Sequence, residues 1–248
     1  MDFASSLITS LRKATKIVVL TGAGISAESG LATFRDAQTG LWSKFKPEEL
    51  ATAEAFRRNP KFVSDWYAWR REQALKAEPN PGHLALVEIE KCAPEFLLVT
   101  QNVDGLHARA GSKRIVELHG NIHRFRCFEN DCANGNFDAE HGRCRSCGGH
   151  LRPDVVWFGE MLPPHALETA IASAEDCDVF FSIGTSSVVY PAADLWRRAS
   201  DRGAIVIEIN RDPTPLTPLA DYSLLGKAGE ILPRLVERIY VHENRGAH

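Results

Sequence analysis

The chain of 248 residues is 44% hydrophobic and 25% charged, with a formal net charge of -3 and six cysteines. That is the composition of an ordinary globular protein, long enough for one sizeable core with insertions, and too acidic overall for a broad basic surface that grips nucleic acid or anionic lipid. No apolar run approaches the roughly 20 residues of a membrane-spanning helix, and Met1 to Leu11 lacks the basic-then-apolar pattern of a secretion signal, so a cytoplasmic location with no membrane or nucleic-acid partner is expected.

In chain order, an amphipathic helix is expected over Phe3 to Ala14, and the β-branched run Lys16 to Thr21, bounded by glycine, reads as a buried parallel strand. Gly22-Ala23-Gly24-Ile-Ser26-Ala27 follows directly and fits the Gly-x-Gly-x-x-Gly/Ala dinucleotide pattern, in which small residues let backbone N–H groups approach a pyrophosphate. A tight turn that binds nothing has the same pattern. It departs from the dehydrogenase form, because the acid expected about 20 residues later falls near Leu41-Trp42 with no strand before it. Ser26 lies in Gly-x-Ser-x-Glu and so fails the nucleophile-elbow pattern of serine hydrolases.

From about residue 36 to 81 the chain is helical in character and rich in Trp and Phe. Over Phe62 to Leu75, Phe62, Trp66 and Trp69 form an apolar stripe, and Tyr67 and Arg70 fall three apart on a neighbouring face. Periodicity alone favours reading that pair as a surface tyrosine and a solvated arginine. Phe96 to Thr100, Val179 to Ile183 and Ala204 to Asn210 are further strands, each leading into a loop and a helical pattern. The class is therefore α/β: a Rossmann-like doubly wound parallel sheet, with a core at about 1–35, 82–120 and 154–248. A helical insertion at about 36–81 and a cysteine-bearing one at about 121–153 make a smaller lobe, and the cleft at the carboxyl ends of the strands is where chemistry is expected.

Gln101, Asn102 and Asp104 follow the second main strand and offer amide and carboxylate groups to a ribose or carboxamide. Asn and Asp are also turn formers, a reading that suits Gln101 poorly. His119 lies between the strand-like Ile115 to Leu118 and Gly120, and its imidazole is suited to taking a proton from a sugar hydroxyl. His107 is its competitor, read as structural or cofactor-adjacent at a helix start. Cys127, Cys132, Cys144 and Cys147, with four residues inside the first pair, eleven between pairs and two inside the second, suit tetrahedral Zn²⁺ in a closed structural site.

Together, Gly22-Ala-Gly24-Ile-Ser26, Thr33-Phe34-Arg35, Gln101-Asn102-Val-Asp104, Leu118-His119-Gly120, Phe158-Gly159-Glu160 and Gly184-Thr185-Ser186 resemble the ordered motif set of sirtuins over about residues 16–232. The resemblance implies an NAD-dependent protein-lysine deacylase with one structural zinc, acting on acylated-lysine proteins and releasing nicotinamide and O-acyl-ADP-ribose. It implies His119 as the catalytic base. It puts Gly22, Ala23, Gly24, Ser26, Glu28, Thr33, Phe34, Arg35, Trp42, Gln101, Asn102, Asp104, Gly184, Thr185, Ser186, Asn210 and Ala228 on the NAD side. Glu208 and Asn210 end a strand where the adenosine ribose is expected. Val155, Phe158, Gly159 and Val188 belong to two edges between which an extended substrate peptide is held, with backbone recognition and loose sequence selectivity. Tyr67-x-x-Arg70 and the small Ala51 resemble the features that mark sirtuins acting on succinyl- and malonyl-lysine.

Overall fold

The computed structural model describes residues 3–32, 47–130, 132, 137–138 and 142–241. Thr33, Phe34, Arg35 and Trp42 lie outside the described residues.

Six parallel strands form the main sheet: β1 (Lys16–Thr21), β2 (Glu95–Thr100), β3 (Ile115–Glu117), β8 (Val179–Ile183), β9 (Ile205–Asn210) and β10 (Tyr222–Leu225), in the order β10-β9-β8-β1-β2-β3. Side chains alternate through the sheet, so Ile17 and Val19 join Leu98, Phe181 and Ile207 on one face, while Val18 and Leu20 join Val99, Phe180 and Val206 on the other. The first face is covered by α1 (Ser5–Lys13), α6 (Pro81–Cys92) and α10 (Ala228–Val236), through Leu7, Leu86, Ile89, Ile231 and Leu235. The second is covered by α8 (Pro164–Glu175) and α9 (Leu195–Asp201), whose Ala170, Ala174 and Ala199 let them lie close to the strands. Helices on both faces explain why the strands read as continuous apolar runs. The sheet is doubly wound, as expected, and β10 is a further strand that the half-polar Tyr222-Ser-Leu-Leu does not announce.

The strand order reverses between β1 and β8, since the chain runs outward from β1 to β3 on one side and from β8 to β10 on the other. A crevice opens at such a reversal, beyond the carboxyl ends of the two strands.

Helices α3 (Pro47–Leu50), α4 (Ala53–Arg58) and α5 (Pro60–Lys76) share an aromatic cluster with the antiparallel pair β4 (Gly120–Cys127) and β7 (Leu151–Val155). α5 starts on Pro60 at its first position, with the Asn59 side chain capping the N–H of Phe62. Its buried face is Val63, Trp66, Tyr67 and Ala74, so the stripe differs from expectation: Trp69 is 45% exposed, whereas Tyr67 is 2% exposed. The helix turned its phenol inward because Trp157 supplies a partner for the hydroxyl. Two short strands, β5 (Phe137–Asp138) and β6 (Arg143–Cys144), complete the cysteine segment. Among the described residues no helix is long and apolar enough to cross a membrane.

Candidate active site

The crevice is made by two glycine turns that touch. Gly22 ends β1 and Gly184 ends β8; the Gly24 N–H donates to the Gly184 carbonyl at 2.7 Å, and the Gly22 N–H to that of Ile183 at 3.0 Å. A Cβ on Gly24 would lie 2.7 Å from the Cα of Gly184, and Gly184 itself holds φ +60°. No side chain fits between the turns, which is the physical reason for glycine at both. Ala23 begins α2 (Ala23–Ala27), and Glu28 just beyond it accepts the Gly229 N–H at the start of α10, beside Ala228.

Hydrogen bonds then tie the strand ends across the crevice. The Gln101 amide donates to the Thr185 hydroxyl at 3.1 Å, joining the ends of β2 and β8, and the Asn210 amide donates to the Thr185 carbonyl at 2.7 Å. Asn102 gives its amide to the Gly22 carbonyl and to the Ser26 hydroxyl, which donates in turn to Asp104 at 2.8 Å. The second oxygen of Asp104 takes the Leu106 N–H at the start of α7 (Leu106–Ala110). Burial pushes the Asp104 carboxyl up, opposed by these donors and by His123 and Arg70. Ser186 stays partly exposed beyond Thr185. Glu208 is a correction: its carboxylate is buried against the hydroxyls of Thr214, Thr217 and Ser223, an internal network that removes it from any ribose.

His119 follows β3 with its Nδ1 3.0 Å from the Gln101 carbonyl oxygen. A carbonyl only accepts, so Nδ1 carries the hydrogen and Nε2 keeps its lone pair. Burial lowers the His119 pKa, the Gln101 contact working against it, so the ring is neutral at pH 7. His107 is instead buried under the crevice, its Nε2 2.9 Å from the Thr21 hydroxyl and its ring 4.8 Å from that of His83. Asn80, a residue the sequence reading passed over, caps α6 and reaches across to the Ile25 carbonyl and the Ser29 hydroxyl; Asn-Pro directly before a helical run was its signal.

On the lobe side, Val156 donates its N–H to the His119 carbonyl and Phe158 donates to that of Ala51, both at 2.9 Å. Backbone bonds thus join the segment after β7 to both the histidine and the aromatic cluster that holds Val155. Phe158 and Val188 are exposed apolar side chains, as are Val189 and Tyr190, and Gly159 turns the chain between Phe158 and Glu160 at φ +86°. Below them lie Ala51, Tyr67 and Trp157, all buried, and Arg70, whose guanidinium sits 4.8 Å over the Trp66 ring. Burial lowers the Arg70 pKa, while Tyr67 and Asp104 act to raise it; a guanidinium remains a cation there.

The sulfurs of Cys127, Cys132, Cys144 and Cys147 lie within 4.8 Å of one another, with Cys127 and Cys147 3.5 Å apart. Tetrahedral zinc with bonds of about 2.3 Å separates its ligand sulfurs by about 3.8 Å, so the donor set fits the ion. The Gly148 N–H bonds to the Cys144 carbonyl and the Gly149 N–H points at the Cys147 sulfur, which is the knuckle turn expected from Gly148-Gly149.

A family model described as Sir2 family matches residues 22–191. An NAD-dependent protein deacylase of Pyrococcus furiosus is 51% identical over 238 residues, covering 92% of this chain and 95% of the relative. Among solved structures, a Sir2 homolog–NAD complex is similar at TM-score 0.90 and 46% identity, covering 97% of this chain and 95% of that one. A Sir2–p53 peptide–NAD⁺ complex is similar at TM-score 0.83 and 29% identity, covering 95% and 98%. Matched by the family model over well more than half its length, the chain belongs to the Sir2 family.

Proposed function

We propose that the protein is an NAD-dependent protein-lysine deacylase whose pocket selects acyl groups ending in a carboxylate. The observation that supports the activity best is His119 with its Nδ1 engaged by the Gln101 carbonyl, which leaves Nε2 to act as acceptor, at the end of a crevice lined by touching glycine turns. The Pyrococcus relative carries that activity in its name, and the two solved relatives hold NAD.

NAD supplies a glycosidic bond whose cleavage releases nicotinamide and leaves ADP-ribose to take the acyl group. The turns at Gly22–Gly24 and Gly184–Thr185, bare of large side chains, let the pyrophosphate approach the backbone, while the Gly22, Gly24 and Gly184 N–H groups themselves hold the turns to Ile183, Gly184 and Ile209; Ala23, Ser186, Asn210 and Ala228 lie along the same side. Gln101, Asn102 and Asp104 face the nicotinamide ribose, Ser26 and Glu28 hold the turn, and the sirtuin resemblance assigns Thr33, Phe34, Arg35 and Trp42 to NAD as well. His119 Nε2 takes a proton from a ribose hydroxyl, its tautomer set by Gln101. The substrate backbone runs between Val155–Gly159 and Val188, and the lysine enters beside Ala51. Zinc held by Cys127, Cys132, Cys144 and Cys147 is structural, because four protein ligands leave no open position for water.

Acid selectivity rests on Arg70 and Tyr67, a guanidinium and a phenol in the same cluster as Ala51. A charge-assisted contact to a buried carboxylate contributes roughly 1.5–3 kcal/mol, or about tenfold to somewhat over a hundredfold in specificity. The test is kcat/KM on succinyl-, malonyl- and acetyl-lysine peptides with NAD, following nicotinamide and O-acyl-ADP-ribose. Arg70→Met should lower desuccinylation at least about tenfold more than deacetylation. Equal losses would make the arginine structural and leave a general deacylase. His119→Ala should lower all activities by roughly 100-fold or more while retaining NAD binding.

A further inference from the structure

The Tyr67 hydroxyl, which the reading above places in the acyl pocket, has a fixed orientation. Its oxygen accepts the indole N–H of Trp157 at 2.8 Å. An indole nitrogen only donates, so the phenol is fixed as the acceptor in that bond and must give its own hydrogen elsewhere. Among the described residues no acceptor meets that hydrogen. A phenol keeps its O–H near the ring plane, so occupying one side of the oxygen turns the hydrogen to the other.

Trp157 is itself held tightly. Its side chain is 1% exposed, with Phe56 at 5.4 Å on one flank and Phe128 at 6.1 Å on another. The Arg152 guanidinium lies 3.3 Å from the indole centroid. Arg152 is buried and paired with Glu160, whose carboxylate also accepts the Trp157 backbone N–H at 2.9 Å. The run Glu160–Arg152–Trp157–Tyr67 is therefore one connected path from the loop after β7 to the Tyr67 hydroxyl.

We propose that Trp157 is a specificity-determining positioning residue: its N–H aims the Tyr67 hydroxyl into the acyl pocket as a donor to the terminal carboxylate. The inference rests on the acyl-pocket reading given above. It assigns Trp157 no contact with substrate and no part in the chemical step. The competing account is that the indole N–H is merely satisfied by the nearest oxygen, in which case losing it costs stability and affects every acyl group alike.

The two accounts separate in a double-mutant cycle on the ratio of kcat/KM for succinyl- over acetyl-lysine peptides, which cancels general damage. Trp157→Phe keeps an aromatic ring and removes the donor; it should lower the ratio by about three- to tenfold, as one hydrogen bond would. Tyr67→Phe should lower it similarly, and adding Trp157→Phe to Tyr67→Phe should then change the ratio little. Trp157 replaced by benzothienylalanine, which keeps the bicyclic shape and lacks only the N–H, should reproduce Trp157→Phe, and it serves where that variant folds poorly. An unchanged ratio in either Trp157 variant, or an equal drop in both tyrosine and phenylalanine backgrounds, overturns the proposal. If Arg70→Met leaves the ratio intact while the Tyr67–Trp157 cycle remains non-additive, the arginine reading falls and the Trp157 assignment stands.

Discussion

The crevice between β1 and β8 and the acyl pocket proposed around Trp157 are built by opposite means. In the crevice, backbone meets backbone: the Gly24 N–H reaches the Gly184 carbonyl at 2.7 Å and side chains are absent where the turns touch. In the pocket, ring meets ring: Phe56, Phe128, Tyr67 and Trp157 lie 4.7–6.2 Å apart in pairs, and one N–H to O bond orders them. A backbone crevice is rigid because the whole sheet stands behind it. An aromatic pocket is only as rigid as the lobe that carries it, and beside that lobe's aromatic cluster the described residues of the cysteine segment bury little more than Cys127, Cys144 and Leu151.

The largest expected effect follows from this difference. Cys127 adjoins Phe128, which packs on Phe56 at 4.7 Å, so the metal site and the pocket are joined by a single residue step. Zinc binding in small domains contributes on the order of 10 kcal/mol to folding. Removing it with a strong chelator, or by Cys144→Ser with Cys147→Ser, should abolish deacylation while β1, β8 and β9 stay folded. Hydrogen exchange would read this directly, with protection lost in β4 and β7 and kept in the parallel strands. Uniform loss across both regions would show that crevice and pocket unfold as one unit and break the comparison.

A second effect tests the crevice. Gly24→Ala places a Cβ against the Gly184 backbone, and Gly184→Ala drives a Cβ into the Ile25 nitrogen at a position that already holds a positive φ. Each should cost about 1–3 kcal/mol in stability and lower NAD-dependent turnover about 100-fold, since a shift on the order of 1 Å at a cofactor site has that consequence. Metal content, measured on the purified variants, should be unchanged. Normal turnover in Gly24→Ala would mean that the turns can separate freely.

The two regions were also unequally legible in the sequence. A glycine forced by close approach leaves a local mark directly after a strand, and the β-branched runs at Lys16 and Val179 mark the strands themselves. Cysteine spacing marks the metal set in the same local way. The pocket's ordering bond links residues 90 apart, and helical periodicity placed Tyr67 beside the apolar stripe because it has no means of knowing that Trp157 would meet it. Trp69, for the same reason, falls in the stripe that periodicity predicts to be buried, although it is 45% exposed. Glu208 looked available because it ends a strand; the three hydroxyls that enclose it arrive from residues 214–223, beyond that strand.

The smallest effect expected is a sensitivity of the crevice floor to acid. His83 Nδ1 accepts the Asn80 N–H as part of the cap that starts α6, so its hydrogen is on Nε2. The Thr21 hydroxyl donates to Thr100 and accepts from His107 Nε2, so the hydrogen of His107 is on that atom and Nδ1 is bare. A second proton on His83 would replace the acceptor that the Asn80 N–H needs. Both rings are buried and neutral in the fold; burial lowers the His83 pKa from 6.5 to about 4 and pushes that of His107 well down. In the unfolded chain these histidines take up protons near pH 6.5, so stability is full above that pH and falls as pH drops toward 4. For His83 alone the loss between neutral pH and pH 5 is on the order of 2 kcal/mol. His83→Asn keeps an acceptor close to the Nδ1 position and cannot titrate, so urea unfolding of this variant should show a shallower fall in stability over that range than the wild type. An identical pH slope in the two proteins would remove His83 as the source of the acid sensitivity and leave His107 and His119, the other histidines whose pKa burial lowers.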